Sequence, residues 1–121
     1  MDFNEMSEKL QEILSKSFMI AADNHNIEIS LQHVLKALLS NDDIEHVFKK
    51  LKQNTNKLKD ICNTYISRLP VSDSKQEPTV NAYVFNAYNE AKLRSKDRGD
   101  KYVGIVDMLI SVIYNESTFA K

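Results

Sequence analysis

Apolar residues recur along this chain every three to four positions instead of every second one, the spacing of helices that each bury one face. The first predicted helix runs from about Asn4 to Asn24, with Met6, Leu10, Ile13, Leu14 and Ala21 on one stripe. A second starts after Ser30, which suits an N-cap, and carries Leu31, Val34, Leu35, Leu38 and Leu39 before Ser40-Asn41 ends it. Asp42 and Asp43 begin a third, short helix with Ile44, Val47, Phe48 and Leu51, because early acidic residues suit the helix dipole. A fourth spans about Asn54 to Arg68 and is marked by Leu58, Ile61, Cys62, Tyr65, Ile66 and Leu69. Pro70 stops it, and PVSDSKQEP (70–78) reads as a surface loop. A fifth helix is predicted from about Thr79 to Asp97, with Val80, Val84, Ala87, Tyr88 and Ala91 facing inward and Gly99 suited to the left-handed turn after it. A sixth follows from about Gly104 to Asn115, and a seventh begins at Ser117.

The chain also matches itself at an offset of 74. Leu10, Ile13 and Leu14 fall on Val84, Ala87 and Tyr88; Ile29, Leu31, Val34, Leu35, Leu38 and Leu39 fall on Val103, Ile105, Met108, Leu109, Val112 and Ile113. Identities are few, but the apolar positions match without a gap through helix, polar turn, short extended piece and second helix. One such helix pair cannot bury its own face, so two copies packed together are expected. The fold class is all-α, a pseudo-twofold bundle of two helical repeats: about 4–69, then the loop 70–78, then about 79–121, within one domain.

Composition supports a packed chain and narrows its partners. The 121 residues are 42% hydrophobic, and 16 Lys+Arg against 17 Asp+Glu leave a net charge of −1. That is a globular composition, able to bury about 65% of its unfolded surface. Its charge gives no bulk attraction to nucleic acid or to an anionic membrane. No apolar stretch approaches the ~20 residues of a membrane span, and MDFNEMSEKL carries no signal-peptide core. Cys62, the one cysteine, has no partner for an internal disulfide, so a cytoplasmic protein is expected.

Little of the chemistry-bearing material is arranged for catalysis. Nothing resembles G-x-x-x-x-G-K-[ST], and two glycines cannot build a phosphate cradle. His25, His33 and His46 have no metal-ligand spacing; Cys62 lies on the apolar face of the fourth helix and reads as a buried, inert thiol. Lys49, Lys50, Lys52, Lys57 and Lys59, interleaved with acids, read as a solvated face, with docking of an acidic partner as the alternative. Tyr83, Phe85, Tyr88, Tyr102 and Tyr114 read mostly as core, with an exposed subset that stacks on extended peptides as the alternative. With no acid-base pair or nucleophile constellation, the chain reads as a binding module and not an enzyme.

Four stretches, in order, carry a family resemblance: EKLQEIL at 8–14, IEISLQHVLKALL at 27–39, LP at 69–70 and RGDKYVGIVDMLISVI at 98–113. The most specific are HVLKALL at 33–39 and the RGDKYV turn at 98–103. Together they resemble the N-terminal domain of Clp-type AAA+ unfoldases, most closely the ClpB disaggregase branch. The resemblance implies two four-helix repeats, a mobile module heading an ATPase ring, and capture of unfolded or aggregated polypeptide or of an adaptor protein. It implies a hexameric parent and a monomeric isolated domain. It places no cofactor in this chain, and ATP and Mg in the parent. Ser7 matches the family's hydroxyl near the start of helix one, and Asp100 matches the Asp of the RGD turn. Val106 stands where the family usually carries a substrate-binding Glu, followed by Asp107 where an apolar residue or His is more usual. Ser7, Asp100 and Val106 are thus the candidate substrate-binding residues. Within the family, the alternatives are the type VI secretion ATPase ClpV, which recognises a sheath helix, and a Clp protease regulatory subunit. A stand-alone helical adaptor is the alternative outside it.

Overall fold

The computed structural model describes residues 1–73 and 75–115, so the seventh helix expected at Ser117 lies outside the described residues. Six α-helices follow in chain order: α1 (Glu8–Asp23), α2 (Leu31–Leu39), α3 (Asp42–Lys50), α4 (Thr55–Ser67), α5 (Ala82–Asp97) and α6 (Ile105–Asn115). Two short strands, β1 (Glu28–Ile29) and β2 (Thr79–Val80), pair in parallel. α2 lies at the centre, packed against the other five helices. Every one of its residues but Lys36 is buried, as a nine-residue helix apolar on nearly all sides requires.

The long helices begin later than their apolar periodicity predicts, and both for one reason. α1 starts at Glu8, not Asn4, because Ser7 is extended and its hydroxyl accepts the Leu10 N–H at 3.1 Å. Phe3–Glu5 form a 3₁₀ turn, and Met6, assigned to the helical stripe, is buried in a bridge to Val103. α5 starts at Ala82, not Thr79, because the Asn81 side chain accepts the Tyr83 N–H at 2.7 Å. Val80, expected on that helix, is in β2. In each case a polar side chain takes an orphan N–H of the first turn and fixes the start.

The offset of 74 holds to the residue. It carries the bounds of α1 onto those of α5, and the caps Ser7 and Ser30 onto Asn81 and Gly104. It carries the C-terminal turn as well: the left-handed His25 (φ 56°) maps onto Gly99 (φ 77°). Asn26 N–H bonds Ala21 O at 2.9 Å, as Asp100 N–H bonds Ser95 O at 2.9 Å. The two repeats then exchange strands reciprocally. Met6 pairs with Val103, and the equivalent of that pair is Val80 with Ile29. Ser7 N–H donates to Val103 O at 2.9 Å, and Asn81 N–H to Ile29 O at 3.1 Å. Such an exchange, in which each repeat's lead-in segment pairs with the other's extended piece, is what an approximate twofold axis demands.

His33 is a polar residue inside this core. The ring is fully buried; Nδ1 accepts the Ser30 N–H at 2.9 Å, which leaves Nε2 to donate to Asn26 Oδ1 at 2.9 Å. Asn26 in turn donates to Pro70 O, tying the loop down. A proton on Nδ1 would point at the Ser30 N–H and find an acceptor only in the Ser30 hydroxyl, 2.9 Å away, which already accepts the His33 N–H. Burial, with the charge of Lys36, accordingly pushes the His33 pKa down to about 4. Because the folded value lies below the unfolded ~6.5, this stability is complete above pH ~6.5 and is lost as pH falls towards 4, about 2 kcal/mol of it by pH 5. Urea unfolding across that range should show the decline, and His33→Gln should flatten it. An unchanged slope in the variant would mean that other groups bind the protons.

Candidate functional site

The Met6–Val103 bridge brings the N-terminus of α1 against the turn that leads into α6. The three residues singled out in the sequence, Ser7, Asp100 and Val106, meet there on the walls of one open groove of about 420 Å³. Val106 is exposed, and no acidic side chain projects from its position; Asp107, the next residue, is buried. The Asp100 carboxylate accepts from Arg98 Nη2 at 2.8 Å and from Nε at 3.1 Å. Arg98 continues to Asp107, with Nη1 3.0 Å from Oδ1, and the two carboxylates hold its guanidinium well above its ordinary pKa. Lys9 and Asp43 form an ion pair at the rim, which raises the lysine's pKa. This groove is therefore short-range electrostatics in a water-exposed frame, with both charge signs already partnered.

Asp107 organises more than its neighbour. Arg94 Nη2 donates to Asp107 O at 2.6 Å and also bonds the Ser111 hydroxyl; its Nε, buried and without a hydrogen-bond partner, lies 3.7 Å from Asp107 Oδ1. Arg94 is half-buried against α6. The signal for this network was in the repeat, since Asp107 is the equivalent of the buried His33. Both repeats place a polar side chain in the first turn of the short helix.

A second groove, of about 450 Å³, was not found from the sequence. It is the pseudo-twofold mate of the first: Asn26 replaces Asp100, Ser30 replaces Gly104, Leu31 replaces Ile105, Gln32 replaces Val106, Asn81 replaces Ser7 and Tyr83 replaces Lys9. The offset that aligns the cores could have located it. The aromatic residues also need correcting. Of Tyr83, Phe85, Tyr88, Tyr102 and Tyr114 only Tyr88 is in the core, its hydroxyl donating to Glu5 at 3.3 Å and its pKa pushed up to about 12 by burial; the other four are exposed. Amphipathic rings at helix starts and turns satisfied the helical period without reaching the core.

Among the described residues, no group of three or more His, Cys, Asp or Glu could hold a metal ion, and no helix is long and apolar enough to cross a membrane. Cys62 is buried, and most of the lysine-rich face of α3 and α4 is exposed.

Comparison with known proteins places this arrangement. The chain is 27% identical over 121 residues to the chaperone protein ClpB of Helicobacter hepaticus, covering 97% of itself but 14% of that protein. It therefore spans about one seventh of the length of such relatives. The crystal structure of the Hsp104 N-terminal domain from Candida albicans superposes with a TM-score of 0.85 at 15% identity, over 93% of this chain and 76% of that one. A complex of a ClpV N-domain with a VipB peptide superposes with a TM-score of 0.76 at 16% identity, over 91% and 68%. Residues 5–121 match the Clp repeat (R) N-terminal domain, and the chain belongs to that family.

Proposed function

We propose that this chain is the polypeptide-binding module at the head of a longer ClpB-type ATPase, and that it captures unfolded or aggregated clients, or an adaptor, for that ATPase. The observation that carries the proposal is the open groove in which Ser7, Asp100 and Val106 meet at two helix starts. The VipB peptide seated on a ClpV N-domain supports a peptide-binding use of this fold. On this reading ATP and Mg act in the parent protein, which works as a cytoplasmic hexamer. Each copy binds weakly, because a shallow groove buries far less than the ~1,600 Å² of a standard interface, and a ring of copies raises the avidity.

An NMR titration with a denatured client, without nucleotide, tests this. Shifts are expected around Ser7 and across 98–106. Asp100→Ala should weaken binding more than Lys49→Ala or Lys57→Ala, and added salt should have a slight effect, since Val106 offers no charge. Ser7→Ala also removes a helix cap, at a cost of about 1 kcal/mol, so its binding is measured where the variant is folded. Shifts confined to the lysine-rich α3–α4 face would replace the groove with adaptor docking there, and no shifts at millimolar client would end the proposal.

A further inference from the structure

We infer that the second groove, between the starts of α2 and α5 and the end of α4, is a separate client site that takes an extended, uncharged segment bearing an aromatic side chain. The inference rests on the chain being a polypeptide-binding module, but not on the Ser7 groove being its site. The two grooves share a backbone frame through the pseudo-twofold and differ in chemistry. Where the first presents Lys9 and Asp100, the second presents Tyr83 and Asn26. Glu28 is the one charged side chain among its described lining residues, and its carboxylate already accepts from Asn81 Nδ2 at 2.7 Å. An acidic client residue would meet the like charge of Glu28 and no cation, and a basic one would meet only that single solvent-exposed carboxylate, already hydrogen-bonded to Asn81. Charge therefore gains little in this groove, and neutral segments suit it.

One side of the groove is polar, and the other is apolar and open to solvent. Ile27, Tyr65 and Tyr83 are 49%, 41% and 61% exposed, and Leu69 and Pro70 complete the wall. Tyr65 also lines the adjoining concavity along α4, where the exposed Ile61 lies among Lys57, Asp60, Thr64 and Arg68, so the apolar surface extends to Ile61 and is bounded there by charge. Large apolar side chains left exposed together along one groove mark an interaction site. Two exposed tyrosines are rigid platforms for an aromatic ring. The groove holds one or two large side chains, which a short extended segment supplies from alternate positions on one face. The fitting occupant is therefore an extended strand with an aromatic anchor.

The test uses the full chain and two peptides of Gly, Ser and Asn, one with a single central Phe and one with Ala in its place. Backbone NMR should show the Phe peptide shifting Gln32, Tyr65, Leu69 and Tyr83, and the Ala peptide binding about tenfold more weakly or worse. Tyr83→Ala and Tyr65→Ala alter exposed side chains, so both should stay folded and lose affinity by a similar factor, while Lys16→Ala, exposed on α1 outside both grooves, should leave Kd unchanged. Shifts confined to Ser7 and 98–106, or an unaltered Kd in both tyrosine variants, would overturn the second site and leave the module proposal standing. Silence at both grooves would overturn both. Sedimentation showing that this face instead pairs two copies of the chain, with the peptide unable to compete, would also overturn it.

Discussion

Leu35→Ala should lower the unfolding free energy by roughly 3–5 kcal/mol, and Leu109→Ala by roughly 2–4 kcal/mol, measured by urea denaturation at neutral pH. The two leucines are equivalent under the offset of 74, each at the middle of a short helix, and each is buried, at 1% and 7% exposure. The ranking follows from surroundings. α2 is packed by five helices, so a void at Leu35 is held open on every side. α6 keeps Val106, Ile110 and Tyr114 exposed along its outer face, so neighbours of Leu109 can relax further into the space. Losses below about 0.5 kcal/mol at both positions would mean that the core lies elsewhere.

Asp107→Ala should cost about 3 kcal/mol, the lower end of the range for breaking a buried ion pair. The carboxylate is buried while its partners Arg98 and Arg94 remain partly in water, so the arginines recover some hydration when it is lost. Arg94 Nε does not, because it is already buried without a hydrogen-bond partner and loses its nearby anion. Asp107→Asn keeps the shape and should cost less. The double variant Arg98→Ala/Asp107→Ala should be more stable than the sum of the single losses predicts, since neither charge is then stranded. Full additivity would show that the two groups contribute independently.

Much of this fold was legible because helix periodicity and capping are local. Ser30, Asp42, Asn54 and Arg68 all fall where the sequence puts a helix boundary, and Val84, Ala87, Tyr88 and Ala91 are buried as predicted. The misplaced helix starts are instructive, because Met6 and Val80 continue an apolar period that is satisfied by a strand pairing from the other repeat. A residue's partner 97 positions away (103 − 6) leaves no local trace. The candidate site was legible to the extent that Ser7, Asp100 and Val106 do converge. Its charge state was not, because whether Arg98 points to Asp100, Asp107 or solvent depends on the turn that Gly99 closes. The second groove was hidden by composition: Tyr65 and Tyr83 look like core residues until the structure leaves them exposed.

The reciprocal strand exchange has a kinetic consequence. Most helix contacts here are local, which favours fast folding, but the two pairings close loops of 51 (80 − 29) and 97 residues for a handful of hydrogen bonds. Loop-closure entropy must be met before those bonds return anything, so helix pairs should assemble first and the bridges last. Both grooves open where those bridges form, at Ser7 beside Val103 and at Asn81 beside Ile29. A chain whose helices have formed but whose repeats have not yet docked therefore has helical content and no binding surface, so client capture reports on the final step of folding.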